Sequence, residues 1–432
     1  LFLVQRGLGT GLTIYAPAII LSAILGWNLT YMNIFIGISV IIYTFSGGTK
    51  AVNVTQKQQM FVIMLGMFST FFLILHYLPN DMTFSSALHI AGANDKMNIV
   101  DFSFDPEQKY TFWSGITGGF FLALDYFGTD QSQVGRYLSG KSVRESQMGL
   151  IMNGLLKVPM QFFILLTGVM VFVFFQFNPV PLNFNPNNKT VIENSKYKKE
   201  YQALENKLNA LSEDKKVINL LYIDQLNQDY DNPTLRKELV ALSNKEKDLR
   251  DRAKDIISKA DPDSETNDKD YVFFHFVLNY LPKGLIGLLL AVILSAAMSS
   301  TASGLSALAS TTAIDIYKRN LKTEKSETHY LNATKFFTLM WGVIAILFAC
   351  IGTLFENLIQ LVNIIGSIFY GTVLGIFLVG FYIKKVQSQA VFYSAVISQI
   401  TIFIIYYFAI FIYPSGEEKL GYLWLNFIGA LL

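Results

Sequence analysis

The sequence predicts an all-α protein: a polytopic membrane helical bundle interrupted by one helical hairpin on its extracytoplasmic side. Three observations carry this. Of the 432 residues, 52% are hydrophobic and 14% aromatic while only 15% are charged, and the mean hydropathy of +0.38 is that of a membrane protein. Apolar runs of bilayer-crossing length, about 17 to 25 residues, follow one another at short intervals. Between two of them lies a polar stretch, 181–270, far longer than an ordinary connection between helices. The chain thus divides into 1–180, a first part of the membrane core; 181–270, the insertion; and 271–432, the second part of the core with further helices.

The apolar runs lie near 10–27, 30–46, 57–78, 112–134, 150–177, 284–312, 333–353, 357–382 and 389–413, and a tenth begins at Gly421. Basic residues gather in alternate connections: Lys50 and Lys57; Arg136, Lys141 and Arg144; Lys318, Arg319, Lys322 and Lys325; Lys384 and Lys385. Cytoplasmic loops carry the excess of Lys and Arg, so this set faces inward. The other set holds Asp81, Asp95, Asp101, Asp105 and Glu107 against Lys96 and Lys109, then Glu417 and Glu418 beside Lys419, and faces outward. The expected location is the cell (inner) membrane, as a multi-pass protein.

Inside 181–270, Tyr201, Leu204, Leu208 and Leu211 recur at three- and four-residue spacing, as do Leu235, Leu239, Leu242 and, after a gap, Leu249. Asn232-Pro233-Thr234 between them stops one helix and starts the next, with Pro in the first turn. The stretch is read as two antiparallel helices standing outside the membrane, dispensable for uptake, and either a solvated spacer or a docking surface for a protein partner. Residues 271–283 are too short to span and stop at Pro282, which fits an amphipathic segment lying over the outer face.

Several function classes fall away. A net charge of +2 gives no reason to expect nucleic acid, a single cysteine, Cys350, excludes a disulfide within the chain, and the four histidines, His76, His89, His275 and His329, lack ligand spacing. No nucleophile–base constellation or phosphate loop points to an enzyme. The chain begins at Leu1 and stops inside an apolar run, so it reads as a fragment, and no signal peptide can be judged from it.

Residues 291–317 form a long apolar stretch whose middle is packed with Ser, Thr and Ala. In hydrocarbon, small residues let helices touch, and hydroxyls are favourable only where another helix, a carbonyl or an ion answers them. Ser299 and Ser300, with the Ala296 carbonyl one turn earlier, offer oxygens suited to a small hard cation; the alternative is hydroxyls bonded back to their own helix. Lys157 stands about ten residues, roughly 15 Å, into its span. That depth marks either a cavity or a structural ion pair. Asp125, on the preceding span, either neutralises Lys157 or binds a polar or cationic part of a solute.

Three ordered motifs then resemble the sodium/solute symporter family: Gly47-Gly48-Thr49-Lys50-Ala51-Val52; Gly128-Thr129-Asp130-Gln131 with Gln133-Val134-Gly135-Arg136-Tyr137-Leu138; and Leu281-Pro282-Lys283-Gly284-Leu285-Ile286-Gly287 running into Ala296-Ala297-Met298-Ser299-Ser300. The likeness covers nearly all of the chain except 181–270. It implies a LeuT-type fold of two inverted five-helix repeats, in which the span at 10–27 resembles the third core helix and that at 357–382 the tenth. On that reckoning the first two core helices are absent, and the fragment by itself should not transport. The resemblance also implies sodium-coupled import, by alternating access, of a small organic solute of the sugar, sialic acid or carboxylate class.

Residue by residue, Ala296, Ser299 and Ser300 fall on positions that resemble the family's main sodium site. Lys157 resembles a lysine that reaches the substrate in sugar symporters, Tyr126 an aromatic that closes the pocket on the inner side or simply packs, and Gln360 or Asn363 a substrate-contacting glutamine. Asp125 departs from the sugar symporters, which tend to carry an aromatic there. Members that couple two ions share an aspartate and two hydroxyls at a second site; the corresponding positions are Gln56, Ala302 and Ser303, so one sodium per solute is expected. Gly366, Gly371, Gly375 and Gly380 read as helix packing. Two other classes stay open: a sensor with a signalling region beyond Leu432, and a scaffold in a larger envelope complex held through 181–270.

Overall fold

The computed structural model describes residues 1–432 except 99, 139–141, 263, 322–324, 352–357 and 414–416, and at 23, 46–57, 136, 270, 358 and 359 it describes the backbone alone. In chain order the helices are α1 (Phe2–Leu25), α2 (Leu29–Tyr77), α3 (Phe84–Ala93), α4 (Phe112–Ser114), α5 (Phe120–Gly128), α6 (Gln131–Leu138), α7 (Val143–Phe174), α8 (Pro186–Glu193), α9 (Lys198–Leu226), α10 (Pro233–Ala260), α11 (Val272–Tyr280), α12 (Lys283–Thr311), α13 (Glu327–Ile351), α14 (Leu358–Tyr382), α15 (Ser388–Tyr406) and α16 (Trp424–Leu431). Short π-helical segments join α4 to α5 and extend α12 and α15. Among the described residues, six helices are long and apolar enough to cross a membrane, in the second half of α2 and in α7, α12, α13, α14 and α15. Large apolar side chains such as Phe61, Phe72, Phe392 and Phe408 lie on the outside, the surface that lipid would cover.

Helix α1 is central. Gly7 and Gly11 let Trp341 and Phe348 of α13 approach its backbone, Thr13 meets Thr301 of α12 hydroxyl to hydroxyl at 2.8 Å, and Leu12 packs with Leu361, Ile365 and Phe369 of α14. Helices α12 and α13 are antiparallel, Tyr317 just past α12 pairing with His329 and Thr312 with Trp341.

The two apolar runs expected at 30–46 and 57–78 belong to one continuous helical stretch, α2. Its first half runs against α13, with Asn33 bonded to the Ala349 carbonyl and Lys335 over the Phe45 ring. Its second half runs against α12, with Gln59 at Ser295 and Tyr77 bonded to the Tyr280 carbonyl. Each half is antiparallel to its own neighbour, and those neighbours are antiparallel to each other.

The run at 112–134 is subdivided into α4, the π-helical segment Gly115–Gly119, and α5. A side chain at Gly118 would collide with the Leu423 backbone, and one at Gly371 with the Asn426 backbone, so both glycines admit the α16 segment. Gly375 meets Ala430 in the same way, whereas nothing lies near Gly380. Helix packing thus accounts for part of the expected glycine series.

The insertion forms two long helices, α9 and α10. Asn232 caps α10 by accepting from the Thr234 and Leu235 amides, with Pro233 in the first turn, and Leu204, Leu208, Leu239 and Leu242 are buried. It does not stand free, however. At its base Leu208, Ile256 and Ile257 make a small core with Leu182 and Ile192, while Tyr222, Ile223 and Leu239 join the main core. Its tip bonds to the turn before α3 and to α3 itself: Asn227 to the Asp81 carbonyl at 3.1 Å, Ser86 to Asn227 at 3.4 Å, and Ser243 to Asn94 at 2.6 Å. The leucine repeat shows that a face is buried, not against what. Helix α11, the expected surface segment, packs against α7, with Phe276 and Val277 buried.

Between α9 and α10, Glu246 lies 3.0 Å from Lys215 and 3.0 Å from Arg250. Burial pushes the pKa of its carboxyl up, but the two cations and their hydrogen bonds outweigh that and hold it below the ordinary glutamate value. A depressed folded-state pKa contributes stability above the ordinary glutamate range, and that contribution is lost as pH falls through the folded-state value. Cleavage of the hairpin by an acid-active protease is therefore expected to accelerate as pH drops below the ordinary glutamate range. Glu246→Gln should flatten that dependence; an unchanged pH profile would count against it.

Candidate functional site

On α12 the small and hydroxyl residues face α1 and α2. The Ser299 hydroxyl is within donating distance of the Ala296 carbonyl, 3.0 Å, and of Gln59 Oε1, 3.2 Å. The Gln59 amide nitrogen donates to the Ser295 hydroxyl at 2.6 Å. Ser299 and Gln59 are 3% and 8% exposed, whereas Ser295 is half-buried and the adjacent Ser300 is exposed. Ser299 thus bonds back to its own helix through the Ala296 carbonyl, and it also reaches Gln59 of α2. Gln59 escaped the sequence reading. The available signal was the pair Gln58-Gln59 opening an apolar run. Of the positions behind the single-sodium expectation, the Gln56 side chain lies outside the described residues, and Ala302 is buried at 1%.

A second group lies on α5, α6 and α7. Asp125, 2% exposed, accepts the Thr129 hydroxyl at 2.5 Å. Lys157 instead extends over the Phe127 ring, its Nζ 5.3 Å from the centroid. The expected Asp125–Lys157 ion pair is not formed: the carboxylate turns back to a donor four residues on in its own chain, and Lys157 remains exposed. Lys157 lines a recess of about 420 Å³ with Asn153, Gln161 and Phe127. The Tyr126 hydroxyl accepts from the Gln133 amide at 2.8 Å, tying α5 to α6. Asp130, from the second motif, caps α6 through the Ser132 amide and hydroxyl at 2.8 and 2.6 Å and pairs with Arg6 of α1 at 3.3 Å.

Gln360 and Asn363 form a third group at the start of α14, both half-buried. Asn363 bonds the Tyr422 hydroxyl, which meets Tyr110 at 2.5 Å. The candidates therefore do not converge on one point. Helix α1 separates the α12 oxygens from the α14 polar residues, touching α12 through Thr13 and α14 through Leu12.

A helical bundle with six helices, among the described residues, long and apolar enough to cross a membrane is that of a multi-pass membrane protein. Residues 8–206 and 260–398 match the sodium:solute symporter family, and the chain belongs to that family. The unmatched stretch falls inside the insertion. Over 154 residues the chain is 35% identical to sodium-coupled monocarboxylate transporter 2 of Mus musculus, covering 35% of this chain and 24% of that protein. It is 32% identical over 154 residues to the sodium/iodide cotransporter of Homo sapiens, covering 35% and 23%. These alignments span about a quarter of each relative's length. In structure it resembles a Na+-coupled sialic acid symporter in a substrate-bound, outward-open state, with a TM-score of 0.67 and 19% identity over 100% of this chain and 70% of that one. The LeuT-type fold expected from the motifs is thereby established.

Proposed function

We propose that this chain is the core of a sodium-coupled symporter that imports a small organic solute carrying a carboxylate. The observation that carries the sodium half is the pair of oxygens at Ser299 and Ala296, held at 3.0 Å in a pocket where Ser299 is 3% exposed. Hydroxyls in such a place serve a small hard cation. Ser300 would add a third oxygen. For the solute, the Lys157 ammonium supports an anionic group, and the Asn153 and Gln161 side chains in the same recess supply further hydrogen-bonding groups. That one relative is named for monocarboxylates and the structural neighbour for sialic acid supports the same class. Asp125, Tyr126, Gln360 and Asn363 are further solute-binding candidates, on the family resemblance alone.

Uptake of labelled monocarboxylates, sialic acid, sugars and amino acids by the full-length protein in proteoliposomes tests this. A carboxylate is expected to accumulate only with an inward sodium gradient. Sodium-independent uptake, or none across the panel, would refute the proposal. A protein partner on the insertion is a second reading, supported by Val217, Leu220 and Leu221, which share one exposed face of α9.

A further inference from the structure

We infer that Gln59 sets the sodium affinity of the α12 site without binding the ion: its side-chain oxygen takes the Ser299 proton, freeing the Ser299 lone pairs for sodium. This rests on reading Ala296, Ser299 and Ser300 as the sodium site. A serine hydroxyl has one proton and two acceptor lone pairs. To ligate a cation it must aim that proton at an acceptor other than the ion's own ligands. Ser299 has two acceptors within reach, the Ala296 carbonyl at 3.0 Å and Gln59 Oε1 at 3.2 Å. The carbonyl belongs to the same proposed coordination shell. A proton directed at it occupies a lone pair the ion needs and places positive charge next to positive charge.

Gln59 is the acceptor outside that shell. Its amide is oriented from behind, because its nitrogen donates to Ser295 at 2.6 Å, leaving the oxygen toward Ser299. The three side chains form a relay along one face of α12, from Ser295 through Gln59 to Ser299. Without the ion the Ser299 proton is shared between the carbonyl and Gln59; with the ion it moves wholly to Gln59. Sodium binding therefore tightens the contact between the second half of α2 and α12. Groups that orient a metal ligand in this way typically change metal affinity by about 10- to 100-fold when removed.

The test is binding of 22Na+ to the purified full-length protein in detergent, with no solute present. Gln59→Leu, which removes the acceptor, is expected to weaken sodium binding by about tenfold or more. Gln59→Glu keeps an acceptor and adds a charge, so it should bind sodium at least as tightly as the parent, and more tightly as pH rises and the carboxyl ionises. A purely structural role for Gln59 predicts equal damage from both changes, and that result would overturn the inference. If Gln59→Leu does not fold, Ser295→Ala replaces it: untying the amide should weaken sodium binding severalfold, and an unchanged affinity refutes the relay. Ser299→Ala separates the two levels. If it leaves 22Na+ binding intact, the site itself is misplaced; if it weakens binding while the Gln59 variants do not, the site stands and the role of Gln59 falls.

Discussion

Ser299→Ala and Ser300→Ala are each expected to raise the sodium concentration for half-maximal uptake by about tenfold or more, while Ser303→Ala leaves it nearly unchanged. The magnitude follows from the cost of leaving a buried charged partner short of one oxygen, on the order of 1–3 kcal/mol, where each 1.4 kcal/mol is about a factor of ten. Ser299 should show the larger effect, since it is 3% exposed and water cannot replace its oxygen. The Hill coefficient for sodium should be near one. A second ion would need ligands at Gln56, Ala302 and Ser303, yet glutamine brings no charge and Ala302 brings no side-chain oxygen. Dehydrating a second sodium there is not repaid. Reversal potentials giving two sodium ions per solute would show that a second site exists despite those residues.

Lys157→Ala is expected to abolish uptake, or reduce it by about 100-fold, with little change in thermal stability. The contact Lys157 makes with the Phe127 ring, at 5.3 Å, is worth about 0.5–1 kcal/mol at an exposed site, too little to hold the fold. Losing a cation that faces the proposed carboxylate costs several times as much, because the solute's charge is left without that partner. Lys157→Arg should keep part of the activity. Because Asp125 bonds to Thr129 and not to Lys157, Asp125→Asn and Lys157→Ala should be additive in stability within about 0.5 kcal/mol. A larger coupling energy would mean that the two charges meet in another state of the transport cycle.

Those two outcomes also mark where the sequence was informative. Ser299 and Ser300 stood out because hydroxyls in hydrocarbon need a reason, and Lys157 because an ammonium at that depth does. The spans were legible from apolar length, and the hairpin from Asn232-Pro233-Thr234 with its leucine spacing. Pairings between distant helices were not. Whether Asp125 meets Lys157 or Thr129 depends on how α5 is rotated about its axis, which hydropathy does not encode. Gln59 looked like the polar edge of a span because its partners, Ser295 and Ser299, lie more than 230 residues away. The tip of the insertion was likewise opaque: Asn227 and Ser243 are ordinary polar residues until α3 is placed beneath them.

The docked tip also dictates an order of assembly. Phe71 of α2, its ring 6.2 Å from that of Phe84, precedes α3, but α7, α9 and α10, which also pack on it, follow it in the chain, and the bonds from Ser86 to Asn227 and from Ser243 to Asn94 close loops of 141 and 149 residues. At about 5–20 residues per second of synthesis, α3 waits on the order of ten seconds or more for its cover. During that wait Ala87 and Ile90, 0% exposed once folded, have nothing from the insertion over them. Until these long loops close, α3 is the segment that an insertion or holding factor has to shelter.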